Sequence, residues 1–350
     1  MWMAAAFGYN RSYAVAGLAP PPRSRAMAGL YILILATALM VGLRYRVGAD
    51  WFNYLDNYNL VQLLSYSQAL ETFDMGYATL VYVAGHMDAG IWLANLACGI
   101  IMMLGILRFC SRQHNPALAF VVAVPYLIIV VGMGYTRQGV AIGIVLAGLA
   151  DADGRSSLKL IAFILAAALF HRTALLVLPL ALAPLARRNL LHAILGAIAS
   201  AGLFYVMLSR STDQLVATYI TQDYESSGAA IRVMMNVPPA MLALLMRKRL
   251  GFSAYQRDMW SIFALVALAT VPLVLATSFT TAIDRLALFL IPLQLAILPR
   301  LPYVLGESRQ RNAQLLLAVC GYSAAVQTVW LVFATHASYW VPYKAVVFDA

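Results

Sequence analysis

The chain is a succession of apolar runs, near 27–43, 90–108, 117–134, 138–150, 158–170, 173–186, 190–209, 232–246, 258–278, 284–299 and 312–334, parted by short polar segments. Such runs leave little choice of fold. A backbone in lipid must satisfy its own hydrogen bonds, so each run reads as a helix. We therefore expect an all-α, polytopic transmembrane helical protein with about eleven spans. Composition points the same way. Only 11% of the 350 residues are charged and the mean hydropathy is +0.79, whereas a soluble domain carries about 25% charged residues. The run at 75–87 is short and interrupted by Gly76, Gly85 and His86, which predicts an interfacial or re-entrant helix. Residues 27–334 form one transmembrane domain in this reading, with a cytoplasmic segment at 1–26 and an outer tail at 335–350.

The net charge of +10 does not indicate nucleic acid, because the basic residues stand singly or in small groups between apolar runs. That placement is a topology signal. With the N-terminus inside, 16 of the 24 basic residues fall on cytoplasmic segments, among them Arg108, Arg112 and the Arg247-Lys248-Arg249 group. The outer segments then hold Arg44, Arg46, Arg137, Arg172, Arg210, Arg232, Arg285 and Lys344. Two outer segments are long: 44–89, rich in Tyr, Trp and Phe, and 210–231, rich in Ser, Thr and carboxylates. Aromatic rings with amides and carboxylates suit sugar binding, and aromatic rings alone also suit a headgroup belt. The cysteines, Cys98, Cys110 and Cys320, fit apolar filling rather than a disulfide framework. Residues 1–22 lack a basic start and a small-residue cleavage site, so no signal peptide is expected.

The spans at 138–150, 158–170 and 173–186 hold 13, 13 and 14 residues, where a crossing needs about 20. At about 1.5 Å per residue such helices are too short for the bilayer. Arg137, Gln138, His171 and Arg172 are thereby drawn to or below the outer interface, where charge is costly without a partner, cavity or ligand. Arg137-Gln138 also opens a helix, whose unpaired amides favour anions, and a guanidinium fork matches phosphate. His171, beside Arg172, is expected to stay neutral and able to accept a proton from a sugar hydroxyl. Arg285 either neutralises its neighbour Asp284 or joins a basic cluster with Arg137 and Arg172. Walker loops, dinucleotide glycine fingerprints, metal-ligand spacings and serine-hydrolase elbows are absent from the sequence.

At these residues the sequence resembles the EpsG-like, Wzy-type polysaccharide polymerase family over roughly 40–350. The resemblance rests on Arg44-Tyr45-x-Val47-Gly48-x-Asp50 with Tyr54, on Asp74-x-Gly76-Tyr77 (Asp where the family has Glu), on Arg137-Gln138 with Ala141, on Phe170-His171-x-Thr173-Ala174 and on Trp340-Val341-Pro342-Tyr343. The first 22 residues are poor material for the span that family members usually carry before the Arg-Tyr motif. The resemblance implies a glycosyltransferase-C-related fold, no metal ion or other cofactor, and a bacterial inner-membrane location. It implies an undecaprenyl-pyrophosphate-linked oligosaccharide as substrate, whose growing chain moves to the non-reducing end of a second lipid-linked unit. A chain-length regulator and export machinery are implied partners beside the lipid bilayer, and nucleic acid is not. The implied catalytic residues are His171, Arg137 and Arg285, with Arg172, Gln138, Arg44, Arg46, Asp50, Tyr54, Asp74 and Tyr77 contacting substrate.

Three other functions are compatible with the sequence. A polyprenyl-monophosphate-dependent glycosyltransferase would use Asp50 as base. A lipid-glycan flippase should show internal repeats and a polar midplane site. A non-catalytic subunit of an assembly complex would need neither.

Overall fold

The computed structural model describes residues 23–154, 157–186, 228–277, 280–306 and 309–349, with position 202. The expected span at 190–209, nearly all of the outer segment 210–231 and residues 1–22 lie outside the described residues. Among those described, the chain is all helical, and its one β-type pairing is the isolated bridge between Arg44 and Ala345.

Apolar runs become helices at the expected places. They are α1 (Arg23–Gly42), α5 (Gly90–Ser111), α6 (Pro116–Gly134), α7 (Thr136–Leu149), α8 (Ser157–Ala168), α9 (Val177–Ala186) and α10 (Ala229–Leu245). Beyond them run α11 (Ala254–Ala276), α12 (Thr280–Leu288), α13 (Pro292–Ile297) and α14 (Arg309–Phe333). Among the described residues, five helical stretches are long and apolar enough to cross a membrane: Gly90–Ser111, Pro116–Gly134, Ala254–Ala276, Ile283–Leu305 and Asn312–Phe333. The shorter apolar helices lie at Met27–Gly42, Thr136–Leu149, Ser157–Ala168, Arg172–Leu185 and Ala229–Leu245. Leu35, Leu104, Leu273 and Phe333 are exposed on their outward faces, as lipid contact requires. The protein is an all-α, multi-pass membrane protein.

The segment 44–89 carries more helix than the single piece expected at 75–87. It folds into α2 (Trp51–Gln62), α3 (Tyr66–Thr72) and α4 (Met75–His86). Its aromatic residues pack inward: Trp51, Tyr54 and Tyr77 are buried, Tyr45 and Trp51 both contact Trp92, and the Tyr54 and Tyr77 rings lie 5.5 Å apart. Burial of these rings fixes the helices as a cap on one end of the bundle. The cysteines are buried free thiols.

The helix that matters most is α7. Except for Arg137, every side chain from Thr136 to Leu149 is buried, so it is the central rod of the bundle. It packs closely on α5 because Gly105 and Gly143 face each other, and a Cβ on Gly143 would come within 2.7 Å of the Met102 backbone. Lipid gives no hydrophobic drive between helices, so such close packing of small residues holds them together. At 14 residues the rod is about 21 Å long, short of the roughly 30 Å hydrocarbon core.

Candidate functional site

The α6 helix breaks at Tyr135, whose backbone (φ −124°, ψ 60°) leaves the helical region before α7 begins. No side chain caps the new helix. Its first turn carries Arg137, whose backbone N–H donates to the Tyr54 hydroxyl at 3.4 Å. The Arg137 Nη1 donates to Asp74 Oδ2 at 3.0 Å, and Arg172 Nε lies 3.6 Å from Asp74 Oδ1. Asp74 is the residue before α4, yet its carboxylate makes no capping bond to that helix. It faces two guanidiniums instead and holds them side by side.

Backbone contacts bring the separated motifs to this point. Gly76 N–H donates to the Leu169 carbonyl at 2.7 Å, which docks α4 on the turn that carries His171 and Arg172. Gly48, in the left-handed region at φ +104°, donates to the Tyr339 carbonyl at 2.9 Å. A Cβ there would collide with the Met133 carbonyl, so only glycine allows the 44–54 segment to approach the α6–α7 break. Trp340 completes the junction, with its indole N–H on the Ile129 carbonyl at 2.9 Å.

His171 lies between α8 and the 3-10 turn Arg172–Leu176. Its ring stacks on Phe289 at 6.4 Å between centroids. Its Nε2 is buried and has no hydrogen-bond partner among the described residues. A buried polar atom without a partner is costly. Burial, and then the charges of Arg137, Arg285 and Arg172, push its pKa down to about 3, so the imidazole is neutral at physiological pH. Asp50 shares the same field. Burial raises its pKa against the opposing charges of Arg137 and Arg285. Burial likewise raises Asp74, against Arg137 and Arg172. The structure thus gathers Arg137, Arg172, Arg285, His171, Asp50 and Asp74 at the start of α7.

Other expected substrate contacts take different places. Arg44 is 0% exposed. Its guanidinium donates to the Val41 carbonyl at 2.6 Å, the Val47 carbonyl at 3.2 Å and Thr136 Oγ1 at 2.7 Å. It ties the first outer segment to the start of α7 and cannot reach a ligand. Gln138 is buried and donates to the Arg285 carbonyl at 2.9 Å, so it positions α12 rather than substrate. Tyr54 and Tyr77 are buried beneath Arg137, whose guanidinium lies 6.0 Å from the Tyr77 ring centroid. Arg46 stays on the surface, over the Tyr45 ring at 5.1 Å. Asp284 forms an ion pair with Arg232, 52 residues away. Adjacent residues on a helix do not face each other, and this is the signal that the Asp284-Arg285 doublet carried. Among the described residues, no group of three or more His, Cys, Asp or Glu side chains converges.

The EpsG family matches residues 27–345. The chain belongs to the EpsG family. Neither the curated proteins nor the solved structures contain a match. EpsG is a Wzy-like polysaccharide polymerase family, which makes this EpsG protein a glycosyltransferase-type polysaccharide polymerase. A polymerase of this kind acts on a lipid-linked oligosaccharide within a membrane.

Proposed function

We propose that this EpsG protein lengthens glycans carried on undecaprenyl diphosphate, at the outer face of the bacterial inner membrane. The observation that carries this reading is the group of three guanidiniums around the uncapped start of a buried, short helix. Charge at that depth needs a counter-ion. Asp74 aligns two of the guanidiniums on one carboxylate, and their planar forks match the oxygens of a diphosphate. Arg137, Arg172 and Arg285 hold the diphosphate of the donor. As the bond from the sugar C1 to the diphosphate breaks, negative charge grows on the leaving oxygens, and preplaced cations stabilise it. The acceptor hydroxyl forms the new bond to C1 of the donor sugar.

His171 serves in this scheme as an orienter. A proton acceptor works best with a pKa near the operating pH, and His171 lies well below it. Its unpartnered Nε2 accepts a hydrogen bond from the acceptor hydroxyl and aims the oxygen lone pair, and the hydroxyl proton leaves with the departing diphosphate. Asp74 and Asp50 position the guanidiniums. The test is a gel of lipid-linked glycans from cells whose only copy carries Arg137→Ala. Single repeat units should accumulate while the protein is still made. Chains of normal length would overturn the reading.

A further inference from the structure

A cavity of about 370 Å³ opens between α6, α10 and α14, within the roughly 300–1,000 Å³ of ligand pockets. Its walls are apolar: Val130, Met234, Pro238, Val326, Val329 and Phe333. Tyr322 and Trp340 also line it, but their polar atoms point away. The Tyr322 hydroxyl donates to the Met235 carbonyl at 2.8 Å and the Trp340 indole to the Ile129 carbonyl. A sugar would need those donors, whereas an apolar chain needs only the ring faces.

Part of the lining is polar, and it borders the guanidinium cluster in three ways. Tyr135 lines the cavity and is the residue at which α7 begins, two positions before Arg137. Arg232 lines it and pairs with Asp284, the neighbour of Arg285. His336 lines it and lies close enough to act on Asp50. A groove that is polar beside a phosphate site and apolar beyond it matches one ligand shape, a long hydrocarbon with a charged head.

We infer that this cavity seats the isoprenoid segment next to the diphosphate of the lipid-linked glycan. The inference rests on the diphosphate site proposed above and adds the direction in which the lipid leaves it. The groove is built from membrane helices, so the chain passes from the cluster straight into the bilayer. Met234 and Met235, both in the lining, supply flexible side chains that adapt to methyl branches.

The test uses the full-length protein in vesicles and a polyprenyl diphosphate with a photoreactive group in its first isoprene units. No glycan is attached, so polymerase activity is not the readout. Labelling should map to α10 or to residues 322–336, the end of α14 and the turn after it, and should fall at least tenfold in Ala325→Trp or Val329→Trp, each of which fills the groove. Leu317→Trp, on an exposed part of α14 outside the lining, should label like the parent. Competition with excess phosphatidylglycerol separates the sources of hydrocarbon. Persistence of the label supports an isoprenoid site, and its loss means an ordinary bilayer lipid and overturns the inference. Labelling elsewhere, or unchanged labelling in both filled variants, also overturns it. If labelling maps to the groove but Arg137→Ala still polymerises, the mechanism fails and the groove stands. If Arg137→Ala abolishes polymer but the groove is not labelled, the inference alone fails.

Discussion

Asp74 and Asp151 stand at opposite ends of α7, each facing several basic side chains. Asp74 meets Arg137 and Arg172. Asp151 meets Arg108 at 2.6 Å, Arg112 at 2.8 Å and Lys159 at 3.7 Å. By ion-pair count the second cluster is the stronger. Burial reverses that ranking, because the Asp74 side chain is 9% exposed and that of Asp151 27% exposed. Burial lifts the Asp74 carboxyl in spite of its two arginines. At Asp151 burial opposes ionisation less effectively, and the hydrogen bond from Arg108 with the charges of Arg112 and Lys159 pulls the carboxyl below its ordinary value. Solvated ion pairs staple a loop to helix ends and contribute little. What separates the two clusters is the burial of the shared carboxylate, not the number of ion pairs.

Variants can break this comparison at several strengths. Arg137→Ala should cost the most, about 10²–10³ in turnover by analogy with the loss of one charge-stabilising donor. Arg137→Lys should recover little of it, since an ammonium lacks the planar fork. Assay of purified protein on a lipid-linked oligosaccharide measures both.

Asp74→Asn should come next. Burial already outweighs the attraction of Arg137 and Arg172 for this carboxylate, so the neutral amide should leave the melting temperature in detergent unchanged or slightly higher. Turnover should fall by about tenfold as the guanidiniums lose their alignment, by analogy with a lost positioning contact.

His171 gives a pH test. Its lowered pKa keeps it neutral above about pH 4, so kcat/KM of the parent should show no limb near the ordinary histidine value of about 6.5. His171→Ala should lower the whole profile by about 10–100-fold without changing its shape. A limb near pH 6.5 that vanishes in the variant would make His171 a titrating base instead.

The smallest effect should come from Asp151→Asn, with polymer unchanged and stability lower by less than about 1 kcal/mol. The sign follows from the depressed carboxyl. Its contribution is fully present above the unfolded value of about 3.9 and is lost as pH falls through the folded one. Parent and variant should therefore differ in melting temperature at pH 6 and converge toward pH 3.

The helices were legible in the sequence because lipid dictates them: a run such as 90–108 has no alternative to α5. The shortness of the helix that Arg137 opens was legible from the run 138–150. The neighbours of Arg137 were readable only through the order of the motifs, since nothing local places Asp74 against Arg172. A helix at 75–86 was legible in the short apolar run there, but those at 51–62 and 66–72 were hidden, because their mixture of aromatic and polar residues carries no strong helical period, and Trp51 is buried by packing against Tyr45 and Trp92. The role of Arg44 was hidden for a related reason. An arginine beside an apolar run reads as an interface anchor, and its three oxygen acceptors appear only when Val47 and Thr136 are folded over it. The Arg232–Asp284 pair joins α10 to α12, and spacing alone gives no hint of it.

The most direct measurement is chain extension by purified protein in vesicles loaded with a radiolabelled oligosaccharide on undecaprenyl diphosphate, comparing the parent, Arg137→Ala and Asp151→Asn. A ladder of products from the parent and from Asp151→Asn, with unextended substrate from a correctly folded Arg137→Ala, is the expected outcome. Ladders of equal length from all three would contradict the claim that the guanidiniums hold the diphosphate.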